Sequence, residues 1–174
     1  MVNFFPKTVV ISLKKDSKRR DALLPRLERR GFDAEVFGAI EAKDLGENPT
    51  RLRIKEKKKN LTASELGCAL SHCSIYEALP RDCDYILILE DDVIPLRDNE
   101  LNFSVGGMVK RGDLMLLGVS SKKEWLAAKR SPQKTTRLGV DWIKLDFFSI
   151  FFLKGACAYL LSHDTAKDLL NLQR

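Results

Sequence analysis

The feature that most restricts the fold is the near-continuous apolar run Tyr-Ile-Leu-Ile-Leu at residues 85–89, which leads directly into Glu90-Asp91-Asp92. A strand without polar alternation must be covered on both faces, and in α/β proteins helices provide that cover. Residues 8–13 and 34–37 predict two more strands, separated by a helical stretch. Strand, helix and strand in this order predict a parallel α/β sheet flanked by helices.

Capping and breaking residues delimit the first predicted helix. Asp16 or Ser17 can cap it, because short polar side chains accept hydrogen bonds from the free N–H groups of a first turn. Gly31 can end it, because glycine readily adopts the left-handed conformation that follows many helices. Pro25 lies between these signals and predicts a kink or a later start, because proline lacks the N–H of a helix interior.

A second helix is predicted after the polar stretch 41–60, which is typical of a loop. Thr62 and Glu65 have the spacing of a capping box, in which each residue satisfies a backbone N–H of the other. The helix is expected to end near Pro80. Its apolar face is predicted from five residues: Leu66, Ala69, Leu70, Cys73 and Leu79.

The second half of the chain is predicted to consist mainly of strands and to end in a helix. The predicted elements are a buried strand at 114–117 closed by Gly118, a loop or short helix at 120–139, strands at 142–152 and 156–161, and a helix at 165–170 capped by residues 162–164. No internal repeat and no low-complexity tract interrupts this order.

Length and composition indicate a single globular domain over residues 1–174. Of these residues, 44% are hydrophobic and 31% are charged, which suits a packed core and differs from a disordered chain. The longest apolar region, 147–161, contains polar residues and is shorter than the roughly 20 residues that span a bilayer. The first six residues lack the basic start and cleavage site of a signal peptide. We therefore expect a soluble, cytoplasmic protein.

The net charge of +6 is concentrated in the first third of the chain, above all in the run Arg51–Lys59. Such a run suits an anionic membrane surface, a phosphorylated substrate or a nucleic acid, and it is equally typical of a solvated loop. Segments that bind nucleic acid commonly interleave aromatic and basic residues. Because this run contains no aromatic residue, we expect no nucleic-acid partner.

The cysteines show neither a CxxC pair nor the spacing of a zinc site. They are Cys68, Cys73, Cys83 and Cys157. Buried free thiols in a reducing compartment are therefore expected. Since the chain has only two histidines, a His-rich metal site is excluded, and His72 is expected to form a hydrogen bond near the core.

The three acids after the strand at 85–89 are the strongest chemical signal. Neighbouring carboxylates repel one another unless a cation neutralises them, and ligands of open α/β sheets bind at the carboxyl edge of the strands. Oxygen ligands suit Mg²⁺ or Mn²⁺, which can bridge a nucleotide diphosphate to the protein. The alternative is a solvated loop whose carboxylates cap a helix. The chain has no GxGxxG, Walker A or GxSxG motif, so the enzyme classes that these motifs mark are not expected.

Taken together, several segments resemble glycosyltransferase family 25, the lipooligosaccharide galactosyltransferase group of Gram-negative bacteria. They are 9–13 with Arg19-Arg20, Phe37–Ala42, the block Leu-Thr-Ala-Ser-Glu-Leu-Gly-Cys-Ala-Leu-Ser-His at 61–72, Leu-Ile-Leu-Glu-Asp-Asp-Val at 87–93, and Gly155–Ser162. The resemblance covers roughly residues 7–172. It implies a GT-A type, Rossmann-like fold with a mixed or parallel sheet. It also implies transfer of a hexose, often galactose, from a UDP-sugar to a lipooligosaccharide core with inversion.

The resemblance also implies roles for residues at matching positions. Mn²⁺ or Mg²⁺ would be held by Asp92 and Asp91, with Glu90-Asp91-Asp92 standing in for the DxD motif. The donor UDP-sugar would contact residues near the strand ends and on the second helix: Ser12, Leu13, Arg20, Ala39, Glu65, Ser71, His72, Glu90 and Asp91. For Glu65, Ser71 and His72 the alternative is that they only hold the helix.

Two departures from the family pattern affect the expected activity. Ser12 stands where the family usually has Asn, which keeps a hydrogen-bonding side chain. Family members usually continue beyond the helix at 165–170, so we expect the acceptor side to be incomplete. The alternative function is therefore a catalytically impaired nucleotide-sugar-binding remnant.

Asp141 and Asp146 are the candidates for the catalytic base. An apolar surface exposed where the tail would pack favours a homodimer, and peripheral contact with the inner membrane through Arg51–Lys59 is a further expectation.

Overall fold

The computed structural model describes residues 6–41, 43, 62–93, 113–117, 126, 134–137, 140–143 and 157–172. The elements in chain order are β1 (Lys7–Ser12), a 3-10 turn (Lys14–Asp16), α1 (Ser17–Glu28), β2 (Ala34–Gly38), α2 (Ala63–Ala78), β3 (Tyr85–Glu90), β4 (Leu114–Leu116), β5 (Lys134–Arg137), β6 (Val140–Ile143), β7 (Ala158–Ser162) and α3 (His163–Leu172). The predicted opening order of strand, helix and strand is confirmed, and so is the final order of a strand followed by a helix.

Five of the described strands form one mixed sheet in the order β2-β1-β3-β7-β4. β1 pairs in parallel with both β2 and β3, and β7 runs antiparallel to β3 and to β4. β5 and β6 pair with each other as a separate antiparallel ribbon. The predicted α/β fold with a mixed sheet is therefore confirmed.

The apolar run of β3 is explained by cover on both faces of the sheet. Ile86 and Ile88 lie in a core cluster with residues of α2 and α3. Leu87 and Leu89 point to the opposite face and lie in a second cluster that includes Leu23 of α1. Because alternate residues of a strand face opposite sides, a strand buried on both sides cannot alternate with polar residues.

α1 ends with two hydrogen bonds that form a Schellman motif. The N–H of Phe32 donates to the carbonyl of Leu27 at 3.1 Å, and the N–H of Gly31 donates to the carbonyl of Glu28 at 2.8 Å. Gly31 has a φ of 81°, which a residue with a side chain rarely adopts. The predicted stop at Gly31 is confirmed.

The start of α1 differs from one of the sequence predictions. The helix begins at Ser17 and continues through Pro25, so a start delayed by the proline is wrong. Pro25 is the ninth residue of this helix and removes one backbone hydrogen bond there, a loss that the burial of Leu23 and Leu27 on either side of it offsets. Asp16 occupies the capping position but makes no side-chain capping bond, because its carboxylate accepts a bond from Arg19 instead.

The capping box at the start of α2 is confirmed. The Thr62 hydroxyl accepts from the N–H of Glu65 at 3.3 Å, and the Glu65 carboxylate accepts from the N–H of Thr62 at 2.8 Å. The buried face differs in part from the predicted one. Its residues are Gly67, Leu70, Ser71, Cys73, Ile75 and Tyr76.

Two predictions for the second half are wrong. The strand at 114–117 was expected to be buried, but β4 lies at the edge of the sheet and Leu114 is 43% exposed. Edge strands are covered by a neighbour on one side only. Within 120–139, where a loop or short helix is expected, Leu126 is helical, but residues 134–137 form strand β5, so the prediction is wrong for that segment. Gly118 and residues 144–152 lie outside the described part of the chain.

The C-terminal elements agree with the sequence. β7 covers Ala158–Ser162 and α3 starts at His163, two residues earlier than predicted. The Ser162 hydroxyl accepts from the N–H of Thr165 at 3.2 Å, so the predicted cap is present. Among the described residues no helix has the length and apolar character needed to cross a membrane.

Candidate functional site

The carboxyl ends of three parallel strands meet at one edge of the sheet. Ser12, the last residue of β1, pairs with Gly38 of β2, and Ile11 pairs with Glu90 of β3. The N–H of Ala39 donates to the carbonyl of Ser12 at 2.9 Å, which carries the pairing one residue beyond β2. The structure thus brings the predicted residues Ser12, Ala39 and Glu90 to the edge where open α/β sheets bind ligands.

Ser71 joins α2 to this edge. Its hydroxyl is fully buried, donates to the carbonyl of Gly67 at 2.8 Å and accepts from the N–H of Ile40 at 2.8 Å. Because Ile40 lies two residues beyond the end of β2, this bond fixes the segment that leaves the strand. Ser71 therefore has a positioning role in the fold whether or not it contacts a donor.

His72 is the end of a buried chain of hydrogen bonds. Its Nδ1 lies 2.6 Å from the Tyr159 hydroxyl, which lies 2.6 Å from the Tyr76 hydroxyl. Burial lowers the pKa of His72 to about 4 and raises the pKa of Tyr76 to about 12. The pKa of Tyr159 is raised by burial as well. All three groups are therefore neutral near pH 7, and the predicted hydrogen bond of His72 near the core is confirmed.

The acidic motif forms the turn that follows β3. The N–H of Val93 donates to the carbonyl of Glu90 at 3.3 Å. Within this turn Asp91 is only 8% exposed, whereas Asp92 is exposed. Burial, together with the negative charges of Asp92 and Asp91, raises the pKa of Glu90. A local excess of carboxylates at a strand end is a donor set that suits a hard divalent cation.

One arginine of α1 contacts this acidic turn. The Nε atom of Arg19 lies 3.3 Å from Oδ1 of Asp91, and its Nη2 lies 2.6 Å from Oδ2 of Asp16. Its neighbour Arg20, which the resemblance places at the donor, pairs instead with Asp21 at 3.1 Å. The structure therefore brings Arg19, a residue that the sequence analysis did not select, to the acidic motif.

The remaining selected residues are placed as follows. Leu13 is half-buried directly after β1, and its carbonyl accepts from the N–H of Asp16 at 3.0 Å. Glu65 is exposed, and the bond from the Thr62 backbone lowers its pKa. Asp141 lies in β6, where it pairs with Thr136. Asp146 and the basic run 51–59 lie outside the described residues.

A mixed cluster beside the acidic turn was not predicted from the sequence. Ligand atoms of Cys68, His72 and Glu90 all lie within 4.8 Å of one another. The Cys68 thiol donates to Oε1 of Glu90 at 4.0 Å. Desolvation and the Glu90 carboxylate raise the pKa of this thiol. The expectation of buried thiols holds for Cys73, holds in part for the half-buried Cys83 and Cys157, and is wrong for Cys68, which is exposed because its side chain lies beside the Glu90 carboxylate at the end of β3 instead of in the core.

These features define an α/β protein with a polar, acidic edge at the ends of its parallel strands. Residues 5–174 match the family model described as "Glycosyltransferase family 25 (LPS biosynthesis protein)". The chain belongs to glycosyltransferase family 25.

Similar proteins carry related names. A Haemophilus influenzae protein named as a glycosyltransferase is 33% identical over 97 residues, which cover 53% of this chain and 34% of that protein. Procollagen galactosyltransferase 2 of Mus musculus is 29% identical over 99 residues, covering 51% of this chain and 16% of that protein. Procollagen lysyl hydroxylase and glycosyltransferase of Acanthamoeba polyphaga mimivirus is 27% identical and covers 95% of this chain and 19% of that protein. The chain thus matches about a third of the first relative's length and less than a fifth of the other two.

Proposed function

We propose that this chain is a glycosyltransferase that moves a hexose from a UDP-sugar to an oligosaccharide acceptor, and that the hexose is galactose. The observation that carries the proposal is the acidic turn Glu90-Asp91-Asp92 at the carboxyl edge of a family 25 sheet. Its neighbours at that edge are Ser12 and Ala39, whose backbones are joined by a hydrogen bond. We further propose that residues 1–174 act as one nucleotide-sugar-binding domain.

The acidic turn fits a divalent cation such as Mn²⁺ or Mg²⁺. Asp92 is exposed and Asp91 lies beside it, so these two carboxylates would hold the ion. When bound, the ion neutralises charge on the diphosphate of the donor and on the departing UDP. Arg19 already balances part of the negative charge of Asp91 at 3.3 Å, which keeps that carboxylate oriented in the turn.

Inverting transfer needs a carboxylate that takes the proton of the acceptor hydroxyl on the face opposite the departing UDP. Asp141 and Asp146 are the proposed candidates. Glu65 is a weaker choice for any role at the donor, because its carboxylate is occupied by the capping box of α2. Arg20 would have to leave Asp21, its partner at 3.1 Å, in order to bind UDP.

The acceptor proposed is a lipooligosaccharide core at the cytoplasmic face of the inner membrane. The description of the family as an LPS biosynthesis protein supports this choice. The basic run Arg51–Lys59 would bind its phosphates or the anionic lipid around it, and a homodimer is proposed for the assembly. Replacing Lys57, Lys58 and Lys59 by Ser should weaken sedimentation with anionic vesicles, and unchanged sedimentation would contradict the membrane contact.

The metal role is tested by binding of UDP to Asp92→Asn. We expect the variant to lose the Mn²⁺-dependent part of UDP binding while its circular dichroism spectrum stays that of the wild type. Asp82→Asn is the matched control, because Asp82 is also exposed but lies in the turn before the opposite end of β3. Equal Mn²⁺ dependence in the Asp92 variant and the wild type would remove Asp92 from the proposed metal site.

Transfer itself is tested with radiolabelled UDP-galactose and lipooligosaccharide stripped of its terminal sugars. Incorporation of label that requires Mn²⁺ or Mg²⁺ is the expected result. Donor binding with no incorporation would refute the transferase proposal for this chain and assign it the alternative role of a nucleotide-sugar-binding protein. A parallel comparison of Arg19→Ala with Arg20→Ala shows which arginine contributes to UDP affinity.

A further inference from the structure

The cluster of Cys68, His72 and Glu90 has the composition of a transition-metal site. Its three ligand atoms, a sulfur, an imidazole nitrogen and a carboxylate oxygen, lie within 4.8 Å of one another. Two ligands come from α2 and one from the end of β3. We propose that these three residues form a binding site for a zinc-class divalent ion, separate from the Mn²⁺ or Mg²⁺ proposed at Asp91 and Asp92.

The spacing on α2 supports the site. Cys68 and His72 are four residues apart, so their side chains lie on the same face of the helix in successive turns. Glu90 is the last residue of β3 and supplies the third ligand from the sheet. Its backbone is fixed there, because its N–H donates to the carbonyl of Cys157 at 2.8 Å. Two rigid elements therefore present the ligands, which is the arrangement in which a site needs little reorganisation on binding.

The one sulfur–oxygen distance of the cluster is close to that of a tetrahedral zinc site. With Zn–S of about 2.3 Å and Zn–O of about 2.1 Å, the sulfur and oxygen of such a site are about 3.6 Å apart. The Cys68 sulfur and Oε1 of Glu90 are 4.0 Å apart, so a movement of about 0.4 Å, within the reach of a rotamer adjustment, brings them to that spacing. Cys68 is exposed and Glu90 is half-buried, so an ion can reach the site from solvent.

The histidine is already oriented by a hydrogen bond on its other nitrogen. Nδ1 of His72 faces the Tyr159 hydroxyl at 2.6 Å, which leaves Nε2 as the nitrogen available to a metal. Zinc-binding histidines are usually held in this way, with the second nitrogen donating to a neighbouring group. Because a hydroxyl can both donate and accept, the contact with Tyr159 permits the tautomer in which Nδ1 carries the proton and Nε2 is free to bind.

The ligand types select zinc over manganese or magnesium. A thiolate and an imidazole favour zinc and cobalt, whereas Mg²⁺ and Mn²⁺ prefer oxygen ligands. Three protein ligands leave the fourth tetrahedral position open to water or to an oxygen of a small molecule. The thiolate and the carboxylate together carry two negative charges, which match the charge of the ion. Glu90 and His72 are also among the residues expected at the donor, but the Mn²⁺ or Mg²⁺ proposed there would be held by Asp91 and Asp92, so the two proposed metal sites share no ligand.

Cobalt is the probe for this proposal, because it occupies zinc sites and reports thiolate ligation by absorbance. Titration of Co²⁺ into the full chain, in oxygen-free buffer without added thiol, should give a thiolate-to-cobalt charge-transfer band at one equivalent. Zn²⁺ should abolish the band by displacement. Cys68→Ser should not show it, whereas the matched control Cys83→Ser, whose thiol lies before the other end of β3, should show it in full.

Further variants separate this site from the proposed donor site. Glu90→Gln and His72→Gln should each lower zinc affinity by more than about tenfold, since even second-shell changes cost that much. Asp92→Asn should retain the cobalt band while losing Mn²⁺-dependent UDP binding. No band in the wild type, a band that survives in Cys68→Ser, or a band lost in Asp92→Asn would each overturn the proposal. None of these results bears on whether the chain transfers sugar.

Discussion

The hydroxyl of Tyr159 joins β7 to two side chains of α2, and removing it should cost more stability than removing the hydroxyl of Tyr76. Tyr159 lies in β7, is only 2% exposed, and its oxygen is 2.6 Å from both Nδ1 of His72 and the hydroxyl of Tyr76. Tyr159→Phe keeps the ring and its packing but removes the shared oxygen. His72 and Tyr76 each then lose the partner that this oxygen provides.

The expected cost follows from counting the groups left without a partner. A buried polar group that loses its hydrogen-bond partner costs about 1–3 kcal/mol, so two such groups should lower the free energy of unfolding by about 2–6 kcal/mol. Tyr76→Phe is the matched comparison. It leaves Tyr159 bonded to His72 and should cost only about 1 kcal/mol, the net value of one ordinary hydrogen bond.

Urea denaturation followed by far-ultraviolet circular dichroism measures both variants. With a urea dependence of about 2 kcal/mol per molar, the urea midpoint of Tyr159→Phe should fall by about 1–3 M, and that of Tyr76→Phe by about 0.5 M. Equal midpoints for the two variants, or a larger loss in Tyr76→Phe, would refute the account of Tyr159 as the shared partner.

Three further predictions concern other parts of the fold. Ser71→Ala leaves the N–H that follows β2 without its acceptor and should lower the free energy of unfolding by about 1–2 kcal/mol; Ser74→Ala, in the same helix, should change it little, and equal losses would contradict the role of Ser71. In chelator, the free energy of unfolding should fall by up to about 3 kcal/mol as the pH drops from about 6.5 to about 4, because the pKa of His72 is lowered from 6.5 to about 4 and the unfolded chain takes up the proton first. His72→Gln should flatten this part of the pH profile, and an unchanged slope would show that other groups cause it. Gly31→Ala, at a φ of 81°, should cost about 1–2 kcal/mol in thermal denaturation, whereas Gly38→Ala, where the added carbon meets no atom within 4 Å, should cost nothing measurable.

Signals carried by neighbouring residues were sufficient to predict much of the fold. The capping box of Thr62 and Glu65, the stop at Gly31 and the doubly covered strand β3 each depend on side chains and backbone within a few residues. Propensity, capping and periodicity describe such short-range interactions. The order strand, helix, strand then restricted the sheet to parallel pairing at its start, as β1 and β2 show.

The pairing of strands that are distant in the sequence could not be predicted from it. Leu114 belongs to an apolar run like that of β3, yet β4 lies at the sheet edge because only β7 pairs with it among the described strands. β5 was expected to be loop or helix because its residues, Lys-Thr-Thr-Arg, are largely polar. A polar segment becomes a strand when a partner such as β6 supplies its backbone hydrogen bonds, which local patterns do not reveal.

The same contrast between local signals and long-range contacts holds for the candidate site. Asp91 and Asp92 were selected because they directly follow an apolar strand, which is a local signal. The contact between His72 and Tyr159 joins residues 87 positions apart, and no local pattern indicates it.

Arg19 has a partial local signal. It lies four and eight residues before the buried Leu23 and Leu27, so it continues their stripe toward the start of α1, which lies at the carboxyl end of β1. Arg20 lies three and seven residues before the same leucines, so the stripe does not separate the two arginines, whereas the 3.3 Å contact of Arg19 with Asp91 does.

The most direct test of the proposed donor site is calorimetric titration of UDP-galactose into the chain, once with Mn²⁺ and once with EDTA. We predict saturable binding with Mn²⁺ that EDTA abolishes or strongly weakens. A folded sample that binds the donor equally well in EDTA would contradict the metal role of the acidic turn, and a folded sample that binds no donor under either condition would contradict the donor site itself.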